Sequence, residues 1–311
     1  MKIAFMYSGQ GAQIPGMMED VCNQYDVSRD IFTKANYALG RDIEYISFHG
    51  TEEDLQQTHN TQPCVLAADL AAGAALEAEG IHPDVVTGFS LGEYAALVRA
   101  RVLNIEDTFK IVQIRADAMQ EAVPANKGSM AAIMGVASKI VEELCKTATD
   151  AYVIPANYNS PLQTVISGSV KGVNDVVAEA EKRGLTVHTL AVSAPFHCEL
   201  MKPAAEKIKK EFGKISFHDP CLPIYPNVTG EMVTEGGLIP DLLYKQAMSA
   251  VRWQQTLVNM KNNGIDTFIE CGPGKTLWGL ARHTLTDATV LRVASVGTLM
   301  KTLKILRGGT R

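Results

Sequence analysis

No two of the six cysteines form a C-x-x-C pair. They stand apart, at Cys22, Cys64, Cys145, Cys198, Cys221 and Cys271. That gives neither zinc-site spacing nor a redox motif, so no bound metal is expected. Scattered thiols suit a reducing compartment, and the expected location is cytoplasmic. No block of basic residues occurs: 29 Lys and Arg face 34 Asp and Glu, a formal net charge of −5. Nucleic-acid binding needs a clustered positive face and is disfavoured. No apolar run reaches membrane-spanning length. The opening Lys2-Ile3-Ala4-Phe5-Met6-Tyr7 is too short for a signal h-region and runs into glycines without a cleavage site. Asn227-Val228-Thr229 matches a glycosylation acceptor, but without secretion it reads as a turn. There are no internal repeats or low-complexity segments.

What is present is enough for a large core. The chain has 311 residues, 46% of them hydrophobic, and this length suggests about two domains. Its most informative feature is Gly88-Phe89-Ser90-Leu91-Gly92, between the apolar run Asp84 to Phe89 and the helix-forming stretch Leu91 to Val98. A serine on a sharp strand-to-helix turn is held with its Oγ exposed, and flanking glycines let the backbone pack tightly. The following N–H lies at a helix start, where unpaired donors favour a developing oxyanion. The competing reading is an ordinary glycine-rich turn; strand before and helix after favour the nucleophile.

Along the rest of the chain, Lys2 to Tyr7 reads as a buried strand, and Gln62 to Glu79 as a long apolar helix ending at Gly80. Asn104 can cap a helix running to Ala122, with Asp107 in capping-box position. The middle then changes character. Met130 to Met134, Tyr152 to Ala156, Thr164 to Ser167 and Thr186 to Val192 read as strands, with helices at Lys139 to Thr147 and Val173 to Arg183. This β-α-β-β-α-β order is that of a ferredoxin-like unit, inserted in a larger α/β domain. The expected division is 1–127 with 196–311 for the large subdomain and 128–195 for the small one. Helices at Leu200 to Phe212 and Trp253 to Asn262, then a strand at Thr267 to Glu270 and a further helix, complete the reading.

Arg115 departs from the pattern of its helix. Lys110, Gln113, Asp117 and Gln120 form a polar stripe, whereas Arg115 lies in the apolar arc with Ile111, Ile114, Ala118 and Met119. It either snorkels, pairs with an internal acid, or holds an anionic ligand. A planar fork matches a carboxylate bidentately, so a ligand carboxylate is its natural partner. An activated serine also needs a base. Of the histidines after Ser90, His188 is mid-strand, and His218 and His283 sit beside charged residues. His197 follows Ala194-Pro195-Phe196 at a strand exit, where catalytic groups concentrate, and is preferred. Gly274-Lys275-Thr276 imitates a phosphate loop but has Ile269 where glycine is needed. Gly9-Gln10-Gly11 lacks the third glycine of a dinucleotide fingerprint, since position 14 is Ile14.

Together these residues resemble the malonyl-CoA:acyl carrier protein transacylases and the acyltransferase domains of polyketide synthases. The resemblance runs from Phe5 to about Leu285. It rests on Ser8-Gly9-Gln10-Gly11-Ala12-Gln13, Thr61-Gln62-Pro63, Gly88 to Tyr94, Arg115 and Met130 to Gly135. Asn157 to Pro161, Phe196-His197, Val251-Arg252-Trp253 and Glu270 to Lys275 complete it. The fold it implies is α/β, with an α/β-hydrolase-like large subdomain built on a parallel sheet and an inserted ferredoxin-like small subdomain. The roles it implies are Ser90 as acylated nucleophile, His197 as general base, and the backbone N–H groups of Gln10 and Leu91 as oxyanion hole. Arg115 would clamp the malonyl carboxylate, and Phe196 would crowd an α-methyl branch. His197 would be oriented by main-chain carbonyls near Val251–Trp253. No resident cofactor is implied: malonyl-CoA is a substrate and phosphopantetheine arrives on the partner. That partner is an acidic acyl carrier protein, with Lys182, Arg183 and Arg282 as docking residues, and the family default is a monomer. Two departures stand out: Phe89 occupies a common histidine position, and Ala250 a common proline position. The competing functions are a carrier-directed acyl hydrolase using the same dyad, and a non-catalytic scaffold.

Overall fold

A computed structural model describes residues 1–124, 126–190, 192 and 194–308. Residues 125, 191, 193 and 309–311, which fall within the expected subdomain ranges, lie outside the described residues. Eight strands occur among those described: β1 (Ile3–Tyr7), β2 (Val85–Gly88), β3 (Gly128–Met134), β4 (Val153–Ser160), β5 (Gln163–Ser169), β6 (Thr186–Thr189), β7 (Thr267–Cys271) and β8 (Thr289–Val293).

They form two sheets, so the chain is a mixed α/β protein. The first sheet is wholly parallel, in the order β2-β1-β7-β8. Every residue of β1, β2 and β7 is buried, Glu270 included, as in parallel strands covered on both faces. The helix Thr58–Ala78 packs against β7 and is itself buried on nearly all sides. It begins ahead of the expected Gln62 and carries Pro63 in its interior. Proline removes the hydrogen bond that the His59 carbonyl would have accepted. Arg41 Nη1 and Gln113 Nε2 donate to that carbonyl instead, at 3.2 and 3.3 Å, so the helix continues.

The second sheet is antiparallel, in the order β4-β5-β3-β6, with the helices Ser138–Cys145 and Val170–Lys182 between its strands. Its two faces follow the period of two. Ala131, Ile133 and Ile166 pack among the helix residues Val141, Leu144, Val173 and Val176, while Met130, Ala132 and Val165 face a cluster containing Met119 and Phe196. β6 stops at Thr189, short of the expected Val192. β4 runs on to Ser160 through two register shifts. Its irregular edge is stitched to the first body by Val251, whose N–H donates to Ala156 O while Tyr158 N–H donates to Val251 O, both at 2.9 Å. The Asn104 cap forms, but as half a box: its side chain accepts from Asp107 N–H, and Asp107 binds the Asn104 side chain rather than its backbone. Among the described residues no helix is long and apolar enough to cross a membrane.

Candidate active site

Ser90 lies between the end of β2 and the helix Gly92–Arg99, with φ of +54°. That left-handed conformation costs a non-glycine residue about 1–2 kcal/mol, and the surroundings hold it in place. Phe89 N–H donates to Tyr7 O at 2.9 Å, laying the turn across the end of β1. The glycines permit that approach, since a Cβ at Gly92 would overlap the Tyr7 carbonyl and one at Gly88 would overlap the Gly92 backbone. The loop after β1 packs on the same turn, with a Gly9 Cβ position 2.8 Å from Phe89 O. Gln10 and Ser90 line the same cavity. The N–H groups of Gln10 and Leu91 find no acceptor among the described residues.

His197 also has positive φ, +60°. Its Nε2 is 2.8 Å from Ser90 Oγ, and its Nδ1 is 2.9 Å from the Gln246 carbonyl. A carbonyl can only accept, so Nδ1 carries the proton and Nε2 is free to accept from the serine. The Gln246 carbonyl is therefore an orienting acceptor, and the backbone of Ser249, two residues before Val251, also faces the ring. Burial, and then the positive charge of Arg115, push the imidazole pKa down to about 4. His197 is a neutral base at pH 7. The other three histidines after Ser90, His188, His218 and His283, are exposed.

Arg115 is 1% exposed and does not snorkel. Its Nη1 donates to Gln62 Oε1 at 2.8 Å, and its Nη2 donates to Ser90 Oγ at 2.9 Å and Gln246 Oε1 at 3.2 Å. The guanidinium also lies 5.6 Å from the Tyr94 ring centroid. No acid forms an ion pair with it among the described residues, so its charge faces the serine unmatched at contact distance. Ser90, Arg115, His197, Gln10 and Phe196 all line one cavity of about 440 Å³. Met119, Met130, Ala132 and Val165 form an apolar wall, and Asn157 and Asn159 add polar groups. Phe89 lines the cavity too, edge-on to Trp253 with centroids 5.4 Å apart. Lys182 and Arg183 are exposed and pair with Glu179 at 3.9 and 2.7 Å, while Arg282 lies over Trp278 at 4.5 Å.

Three buried residues beneath the serine have no site role in the sequence reading: Glu93, Asn227 and Gln246. Gln246 Nε2 donates to Ser90 O at 2.8 Å and to Glu93 Oε2 at 3.0 Å. Asn227 is in a turn that lies against Ser90: its Oδ1 accepts from Ser90 N–H at 2.6 Å. Burial pushes the Glu93 pKa up to about 7. The motif match at Asn227 points to a different chemistry, no motif flags Gln246, and Glu93 enters only within the Gly88 to Tyr94 stretch, without a role of its own.

A serine, a neutral histidine and an unpaired guanidinium around one cavity is an acyl-transfer arrangement. The chain matches the acyl transferase domain family over residues 4–307 and belongs to it. It is 38% identical over 299 residues to the malonyl CoA-acyl carrier protein transacylase of Haemophilus influenzae, spanning 95% of this chain and 96% of that one. The crystal structure of the Clostridium perfringens malonyl CoA-acyl carrier protein transacylase superposes with a TM-score of 0.95 at 37% identity, covering 99% and 98% of the two chains. A malonyl-transacylase in complex with its type II PKS acyl-carrier protein superposes at 0.94 with 34% identity, covering 98% and 100%.

Proposed function

We propose that this chain transfers a malonyl group from malonyl-CoA to the phosphopantetheine thiol of an acyl carrier protein, through a malonyl-Ser90 intermediate. The observation that carries this reading is the meeting of Ser90 Oγ with His197 Nε2 at 2.8 Å and Arg115 Nη2 at 2.9 Å. Ser90 Oγ attacks the thioester carbonyl while His197 Nε2 takes its proton. The backbone N–H groups of Gln10 and Leu91 receive the oxyanion, each worth about 3 kcal/mol of barrier. As the tetrahedral species collapses, the C–S bond breaks and His197 protonates the departing CoA sulfur. The carrier thiol then attacks malonyl-Ser90, passing its proton to His197, which returns it to Ser90 Oγ as the C–O bond breaks. The hydroxyl and the dyad are restored.

Arg115 holds the free carboxylate, and Phe196 crowds a branch at the α-carbon. The reaction uses no resident cofactor or metal. The parallel sheet with its helices is read as an α/β-hydrolase-like subdomain over 1–127 and 196–311, and the strand order β4-β5-β3-β6 supports a ferredoxin-like one over 128–195. The acidic carrier docks through Lys182, Arg183 and Arg282 to a monomer, in the cytoplasm, where six free thiols are at home. Arg115 weighs against the hydrolase alternative, because a scavenger of mixed acyl chains has no use for a carboxylate clamp. Purified protein given malonyl-CoA and the phosphopantetheine-bearing carrier tests the proposal. Malonyl-carrier should accumulate with wild type and not with Ser90→Ala; faster release of free malonate than transfer would establish a hydrolase instead.

A further inference from the structure

The Asn227 side chain reaches both ends of the strained turn. Its Oδ1 accepts from Ser90 N–H and its Nδ2 donates to Gly88 O, each at 2.6 Å. Residues 88 and 90 are therefore bridged by one planar amide that leaves Phe89 and the Ser90 hydroxyl on the cavity side. The amide is itself fixed, because Asn227 N–H donates to Glu93 Oε2 at 2.9 Å, and the same oxygen accepts from Gln246 Nε2. Gln246 in turn touches Ser90 O, Arg115 and, through its carbonyl, His197. All these groups are buried: Asn227 and Gln246 are 0% exposed and Glu93 1%. A buried amide with its donor and acceptor both used is costly to disturb, since truncation leaves Ser90 N–H and Gly88 O unpaired.

We infer that Asn227 is a positioning residue for the nucleophile: it holds Ser90 in its left-handed conformation, with Glu93 fixing the amide that does so. The Ser90 N–H is thus committed to Asn227 and is withheld from the substrate, which leaves the N–H groups of Leu91 and Gln10, without an acceptor among the described residues, for an oxyanion. Losing the bridge lets the turn relax toward unstrained φ, moving Oγ away from His197 Nε2 and out of line with those donors. Displacements of about 1 Å in such arrangements cost about 100-fold in rate.

The inference rests on Ser90 being the nucleophile, and a fluorophosphonate probe reads that position without depending on which acyl group is used. Phosphonylation of Ser90 in Asn227→Ala should be at least about 100-fold slower than in wild type. In malonyl transfer the loss should fall on kcat with KM changed less than about threefold, because Arg115 still binds the carboxylate. Thr87→Val is the comparison. Thr87 Oγ1 donates to Tyr225 O at 2.8 Å and anchors the same loop without touching the turn, so its melting temperature should drop while phosphonylation stays near wild type. Asn227→Asp, nearly isosteric, keeps the acceptor for Ser90 N–H and regains a donor to Gly88 O only when protonated. Its rate relative to wild type should rise as pH is lowered from 8 to 5. Phosphonylation of Asn227→Ala within threefold of wild type, an equal slowing by Thr87→Val, or a pH-independent ratio for Asn227→Asp would overturn the assignment. Wild-type protein that reacts with the probe but fails to transfer malonyl would overturn the malonyl reading alone.

Discussion

Truncating Arg115 to alanine removes the positive charge that stands 2.9 Å from the serine oxygen. On the proposed reading, a malonyl carboxylate would be held by the guanidinium of Arg115, which is itself 1% exposed. After Arg115→Ala the carboxylate would be buried against Gln62, Gln246 and the Met119 wall with no cation. A site built around a polar partner rejects a mismatched ligand by about 10⁴-fold, because the partner group is left unpaired. The expected loss in kcat/KM for malonyl-CoA is therefore about 10³ to 10⁴, equivalent to about 4–5.5 kcal/mol of transition-state stabilisation. Acetyl-CoA has no carboxylate to lose, and the removal of an unmatched buried charge beside the serine should raise its use. Initial rates of carrier acylation with each thioester, over a range of concentrations, give both values. Equal losses for malonyl and acetyl would show that Arg115 acts on folding or on Ser90 alone, and the carboxylate-clamp reasoning would be wrong.

Because the His197 pKa is pushed down to about 4, the base stays neutral as pH falls well below 6.5. The acidic limb of the kcat/KM profile should lie near pH 4; a limb centred at 6.5 would refute the neutral buried imidazole. Glu93, pushed up to about 7 from 4.5, holds a proton in the folded chain that the unfolded chain has released between those values. Its contribution is present below about pH 4.5 and is lost as pH rises through 7. Melting temperatures of Glu93→Gln should fall less steeply than wild type from pH 4.5 to 7.5, and parallel curves would contradict this. Gly92→Ala should destabilise by about 1–3 kcal/mol through overpacking against the Tyr7 carbonyl, with phosphonylation of Ser90 lost; an unchanged denaturation midpoint would show that the turn does not need the glycine.

The features legible in the sequence are local ones. Gly88 to Gly92 declares its turn because strand, glycines and helix are adjacent in the chain. Arg115 stands out because helical periodicity places a charge on an apolar arc. The β-α-β-β-α-β order emerged because each element carries its own period, although its ends drifted by a few residues. The supports under the serine were not legible. Asn227 and Gln246 meet Ser90 across 137 and 156 residues, and no local pattern encodes a contact at that distance. The carbonyl behind His197 belongs to backbone that any residue supplies, so its assignment to Gln246 required the fold. Pro63 sits inside a helix whose freed His59 carbonyl accepts from Arg41 and Gln113, which a sequence window cannot foresee.

The most direct measurement is peptide mass spectrometry on protein mixed briefly with malonyl-CoA and quenched in acid. One malonyl mass should appear, on the peptide containing Ser90, and it should vanish in Ser90→Ala. Label on a cysteine peptide such as that of Cys198, or no covalent adduct at all, would contradict transfer through a serine ester.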